Sequence, residues 1–290
     1  MKHAINTYRN WSILLLLALI WGSSFILIKK GVSVYTPIQV AAIRITLAAF
    51  VLMPFAITQL KQLQRKDFLP LAVVGWIGTA VPATLFALAQ TRVDSGLSGV
   101  LNTLVPLYTF VLGVLFFGTV FKANKLIGVL VGLVGAVFLL LFGANLSGSS
   151  MGYALLIPLG GLGYATSVNI VKRYCQHMPS LLISTVSLLT TLPVALIPLV
   201  QADFSHKLFH TEGGLEAFLY LALLAMISTA LANVIFFKLT LRTNALFASS
   251  VTYLIPIVAL IWGWIDGEII GIQHIAGLLL ILFGVYLASK

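Results

Sequence analysis

"TRVDSGLSGVLNTLVPLYTFVLG" runs from Thr91 to Gly113, and "LRTNALFASSVTYLIPIVALIWG" runs from Leu241 to Gly263. Arg92 and Arg242, Pro106 and Pro256, and Gly113 and Gly263 stand in register at a constant offset of 150 residues. The match extends backwards without a gap, "IGTAVPATLFALAQTR" (Ile77–Arg92) aligning with "ISTALANVIFFKLTLR" (Ile227–Arg242). Further on, Gly128 and Gly135 align with Gly277 and Gly284 after a one-residue shift. Near the start, "WGSSFILIKK" aligns loosely with "YATSVNIVKR" (Tyr164–Arg173). The chain reads as two halves on one plan, residues 1–145 and 150–290.

Composition identifies the solvent of both halves. The 290 residues are 60% hydrophobic and 8% charged, against roughly 25% charged residues in a soluble domain. Apolar segments of about 18 to 22 residues recur along the chain, the length a helix needs to cross a bilayer core. They predict an all-α membrane protein of ten transmembrane helices, at 11–28, 38–58, 69–90, 95–118, 123–143, 151–172, 179–200, 214–238, 245–265 and 273–289. Pro37 and Pro179 open the second and seventh helices, where a missing N–H costs nothing. "GANLSGSSMG" (Gly143–Gly152) reads as the linker between halves, and "QADFSHKLFHTEGG" (Gln201–Gly214) as the longest polar loop. The first helix has loose features of a cleaved signal peptide. Its match in the second half argues that it is retained.

Counting cations in alternate loops orients the chain. With the N-terminus in the cytoplasm, twelve Lys and Arg fall inside and four (Lys29, Lys30, Arg92, Lys207) outside, with Arg44 inside a span. The excess predicts both termini cytoplasmic, and the net charge of +10 is read as this topological signal, with no nucleic-acid partner. Five helices per half is odd, so the second half enters the membrane from the opposite side. Arg92 then falls outside and its match Arg242 inside. Inverted repeats of this kind exchange conformations around a site near the bilayer midplane.

These features resemble the EamA family of ten-helix permeases in the drug/metabolite transporter superfamily, over essentially the whole chain. The residues that carry the resemblance are "LIWGSSF" in the first helix, "AAIRITLAA" in the second, Pro106 and Pro256, and "GEIIGIQHIAGLLLILFGVYL" at the end. The family often has a Gly-Glu pair after the fourth helix of each half. Here the second half has Gly267–Glu268 and the first has Gly118–Thr119. The resemblance implies a carrier of the bacterial inner membrane that exports amino acids or related small metabolites. It also implies a cavity lined by helices 1, 3, 4, 6, 8 and 9, with helices 5 and 10 peripheral.

Several residues are candidates for binding. Arg44 lies within the second helix, where an ionisable group costs roughly 2.5–3.5 kcal/mol on insertion scales and normally has a partner or faces water. It is a candidate for a substrate carboxylate, the alternative being an arginine that snorkels to the interface. Pro106 and Pro256 remove helix hydrogen bonds and are expected hinges. Beside them, Asn102, Tyr108, Thr252 and Tyr253 would offer a binding surface. Trp21 and Ser24, matched by Tyr164 and Ser167, suit a cavity wall, as do Asn169 and Asn233. "GVLVGLVG" (Gly128–Gly135) is a small-residue stripe suited to packing, and is the face a homodimer would use if the protein is not a monomer.

His206 and His210 are spaced for a metal on a helix, but they fall in the long loop with no third ligand at a set position, so no metal and no cofactor are expected. No HExxH and no His–Asp pairing within the spans points to an enzyme. A proton-coupled exporter of organic cations needs a buried carboxylate in the first helix, and this helix has none. The expected partners are a small-molecule substrate and membrane lipid. A channel is the alternative to a carrier.

Overall fold

The computed structural model describes residues 2–120, 127–128, 130–132, 134–135, 137–138 and 148–289. Among them there are helices and connecting turns and no strand. Eight helices are long and apolar enough to cross a membrane: α1 (Tyr8–Val32), α2 (Pro37–Gln62), α3 (Arg65–Ala89), α4 (Ser95–Phe116), α5 (Ser150–Tyr174), α6 (Ser180–Leu199), α8 (Gly214–Arg242) and α9 (Ala245–Ile265). A short helix, α7 (Ala202–His210), stands between α6 and α8. The last, α10 (Ile272–Ser289), carries a shorter apolar stretch, Ile272–Gly284. The helix expected at 123–143 and the start of the expected linker lie largely outside the described residues. The other boundaries fall within a few residues of the sequence reading, and α5 and α6 are the sixth and seventh helices expected there.

Local chemistry explains the ends. Thr36 and Gln39 form a capping box at the start of α2, with Pro37 in its first turn. Asn244 accepts a bond from the Phe247 N–H at 2.8 Å and starts α9. The outer faces are apolar: Leu15, Leu19, Phe50, Phe55, Leu115, Trp264 and Phe283 are all exposed. A water-soluble chain does not leave so many large side chains bare, and lipid covers them at no cost.

Pro106 and Pro256 are each preceded by a 3₁₀ turn. Pro106 has no N–H for the Asn102 carbonyl. A 3₁₀ turn over Asn102–Leu104 hands that carbonyl to the Val105 N–H instead. In α9 the 3₁₀ turn Ser250–Tyr253 lies further ahead of Pro256, and the Leu254 N–H bonds the Val251 carbonyl. α3 and α8 share a second irregularity, a π-helical segment at Trp76–Ala80 and at Leu224–Leu231. Inside each, a threonine hydroxyl donates back to a carbonyl five residues earlier, Thr79 to Val74 and Thr229 to Leu224, both at 3.3 Å.

The two stretches quoted at the outset pack side by side and antiparallel. Gly96, near the start of α4, faces Leu260, and Gly99 faces Ala259 and Pro256. The second part of α4 meets the beginning of α9. One face of the bundle therefore gathers the end of α1, the start of α4 and the end of α9. The opposite face gathers the start of α1, the end of α4, the end of α5 and the start of α9.

One expectation is corrected. The long polar loop contains α7, which Lys207 ties to the start of α2 through Gln39 at 3.2 Å. His206 and His210 thus sit on a helix, their rings stacked with centroids 5.5 Å apart. Among the described residues no group of three or more side chains is placed to hold a metal. The small-residue stripe at Gly128–Gly135 is covered by the chain's own α10: Gly284 lies directly against Gly132 and the Gly128 carbonyl. Removing Cβ atoms at this crossing lets two backbones touch, which is the packing role expected of the stripe.

Candidate functional site

A cavity of about 90 Å³ lies in the middle of the bundle. Trp21, Ser24, Phe25 and Ile28 face it from α1, Arg44 from α2, Gly78, Thr79 and Phe86 from α3, and Asn102 and Val105 from α4. Tyr164, Ser167 and Val168 come from α5, Asn233, Phe236 and Phe237 from α8, and Ser249, Val251, Thr252 and Ile255 from α9. The six helices named by the family resemblance all contribute, and α2 joins them through its arginine. α10 supplies no lining residue.

Among the described residues Arg44 is the only cation in this wall, and it is 9% exposed. Its Nε donates to Thr229 Oγ1 at 2.6 Å, and Tyr164 shares the cavity wall with it. The π segment makes the Thr229 contact possible. It carries Thr229 on an opened turn, where the hydroxyl donates backwards and still has a lone pair for Arg44. The same segment exposes the Ser228 carbonyl, which Trp21 Nε1 takes at 2.8 Å. All seven carboxylates of the chain are described, and none pairs with Arg44. A buried guanidinium held by a neutral hydroxyl has charge left to satisfy. Asn102 Oδ1, also in the wall, is buried and has no hydrogen-bond partner.

The structure brings Trp21, Ser24, Arg44, Asn102, Tyr164, Asn233 and Thr252 into this one cavity. It places Asn169, Tyr253 and Pro106 elsewhere, in a wider vestibule of about 840 Å³. Asn169 has spent its amide, donating to the Thr109 carbonyl at 3.0 Å and the Ala165 carbonyl at 2.9 Å, so it ties α5 to α4. Tyr108 borders neither space and packs against Gly161, and Pro256 lines neither. Thr79, Thr229 and the phenylalanines of α3 and α8 escaped the sequence reading. The matched "IGTA" and "ISTA" at Ile77 and Ile227 were the available signal for the two threonines.

The vestibule lies on the face where α1 begins, and Lys172, Arg173 and Gln176 stand in its wall with no carboxylate. Lys172 is held by the Leu241 and Thr243 carbonyls at 3.0 and 2.7 Å. Cavity and vestibule share no lining residue. The bends at Asn102–Pro106 and Ser249–Pro256 stand between them.

On the opposite face an ion cluster closes the bundle. Lys29 reaches Asp266 at 2.9 Å and Glu268 at 2.8 Å, and Lys30 reaches Asp266 at 2.6 Å. Burial by itself would raise the Asp266 carboxyl, but the bonds from Lys30 and Lys29 outweigh it and hold the group below the usual carboxylate range. A carboxyl lowered in this way contributes stability above its unfolded value and loses it as pH falls through the lowered one. The thermal midpoint of Asp266→Asn in detergent is therefore expected to lie below that of the parent at pH 7. The gap should close as the buffer is taken below the ordinary carboxylate range. A gap unchanged in acid would show that these bonds do not stabilise the fold.

A helical bundle with a lipid-facing shell and a polar, cation-bearing centre defines a multi-pass membrane transporter, and sequence comparison agrees. The EamA-like transporter family model matches residues 10–141 and again residues 151–290. The chain belongs to the EamA-like transporter family. It is 26% identical over 276 residues to the "Uncharacterized inner membrane transporter YedA" of Escherichia coli K12, covering 94% of this chain and 88% of that one. It is 28% identical to the "Uncharacterized transporter YdfC" of Bacillus subtilis, covering 86% and 81%. It is 24% identical to the "Probable amino-acid metabolite efflux pump" of Salmonella typhimurium, covering 94% and 92%. A solved crystal structure shares the fold with a TM-score of 0.67 at 14% identity, over 97% of this chain and 96% of that one. The protein is a multi-pass membrane transporter.

Proposed function

We propose that this transporter is a secondary carrier that exports small carboxylate-bearing metabolites, amino acids or close relatives, by alternating access. The observation that carries the reading is Arg44, a buried guanidinium at the centre of the bundle with no carboxylate of its own. A substrate carboxylate would complete it with charge-assisted bonds. An ammonium would find the unpartnered Asn102 Oδ1, and apolar parts would lie on Trp21, Phe86 and Phe236. The name of the Salmonella relative points to the same class of cargo.

The carrier is built of two inverted repeats, 1–145 and 150–290, with both termini cytoplasmic. Antiparallel α4 and α9, the π segments of α3 and α8, and the two proline bends support this reading. Movement is downhill, or is coupled to a proton carried by the substrate itself. Purified protein in liposomes should take up amino acids with saturable kinetics and be accelerated by the same compound inside. Flux that rises without saturation and ignores the trans compound would make it a channel and end the carrier reading.

A further inference from the structure

The ion cluster does more than neutralise charge. Glu268 Oε1 accepts from the Ser95 N–H at 2.9 Å as well as from Lys29, and Oε2 accepts from the Gly96 N–H at 2.9 Å. Its side chain is 5% exposed. Three helices are thereby joined at one point: the end of α1, the first free N–H groups of α4, and the turn after α9. Asp94, in the N-cap position of α4, makes no capping bond, and Glu268 does that work from across the bundle.

Behind this joint runs a line of buried polar residues, three of whose oxygens have no partner. Ser95, Ser98 and Asn102 lie on one side of α4, at 0%, 0% and 5% exposure, with Gln90 beside Ser95 at 3.2 Å. Ser98 Oγ, Asn102 Oδ1 and Gln90 Oε1 are buried and have no hydrogen-bond partner. Such groups are costly in a bilayer protein unless they line a water-filled space in some state. The line begins at Glu268 and ends in the wall of the Arg44 cavity.

The matched turn in the first half lacks the device. Gly118 and Gly267 both have left-handed backbone, φ 72° and 85°. Thr119 N–H and Glu268 N–H both return to the matched glycines, Gly113 and Gly263, at 2.9 Å. The backbone is thus repeated while the side chain is not: Thr119 borders the open vestibule, and α9 is capped by its own Asn244.

We propose that Glu268 is a one-sided latch that seals a transport path running along Gln90, Ser98 and Asn102, so that the resting protein is open only on the Thr119 face. The alternation of faces rests on the carrier reading above. The latch itself is a statement about access and can be tested without any substrate. Losing charge-assisted bonds from one state alone shifts a two-state balance by about tenfold or more.

The test is labelling of Ser98→Cys by a membrane-impermeant maleimide applied to the Lys29 face. The native Cys175 is fully buried. Burial and the Asp67 carboxylate push its thiol up to about 12, so the parent chain is the unreactive background. Labelling of Ser98→Cys is expected to be slow and to rise about tenfold when Glu268→Gln is added. Lys29→Gln breaks the joint from α1 and should give the same rise, which guards against misfolding of either variant. Unchanged labelling in both, with monodisperse protein, would overturn the latch. Faster labelling alongside no amino-acid flux would leave it standing and count against the carrier reading alone.

Discussion

Arg44→Met is expected to reduce amino-acid flux into liposomes by about 100-fold or more, the loss of two charge-assisted hydrogen bonds at a buried site. The protein should still insert and remain monodisperse. Methionine keeps the unbranched apolar stem of the side chain, and removing a buried cation that has only neutral partners takes away a desolvation cost. A thermal midpoint equal to or above that of the parent, with transport lost, would separate binding from folding. Arg44→Lys retains the charge but not the planar fork, and cannot reach both Thr229 and a carboxylate as the guanidinium can. It should lose about tenfold. Thr229→Val removes the acceptor 2.6 Å from Nε and should weaken substrate affinity more than maximal rate, because it aims the guanidinium and does not touch cargo. Flux unchanged in Arg44→Met for every amino acid tried would retire the carboxylate site.

Gly163→Leu is expected to abolish recovery of folded protein, through packing alone. Gly163 in α5 presses against the Ile77 carbonyl in the π segment of α3, and a Cβ there would also stand 2.9 Å from Pro82 Cγ. The opened π turn pushes that carbonyl towards α5, and both obstacles are rigid. Overpacking a core costs typically 1–3 kcal/mol where neighbours can shift, and more where they cannot. Even Gly163→Ala should lower the thermal midpoint by several degrees, about what 1–2 kcal/mol would do in a protein of this size. Gly152, on the same helix, has nothing within 4 Å of its would-be Cβ. Gly152→Ala should therefore be neutral or slightly stabilising, by up to about 1 kcal/mol of helix propensity. Equal midpoints for the two alanine variants would show that the α3–α5 contact is looser than described.

Much of this architecture was legible beforehand. Helix ends are readable because the distance between water and lipid is recorded locally, in runs of apolar residues opened by Pro37 or Pro179. α7 was missed because its nine residues are polar on one side and too short to cross a membrane, so it looked like loop. Arg44 could be picked out because a charge within a span is rare. Its partner could not: Thr229 is 185 residues away and looks like any threonine in a helix. Asn169 was chosen for its polarity, yet its donors are consumed by backbone carbonyls. Glu268 was noticed as half of an unmatched pair, but its position across α4 comes from how α9 packs.

What the sequence determined by itself was the solvent and the doubled plan, because both are written in composition and in spacing along one chain. The tertiary structure alone decided which polar groups share a space, which face is shut, and which arginine bond depends on a π turn. Those depend on side chains that meet across helices far apart in sequence, and a one-dimensional pattern holds no record of such meetings.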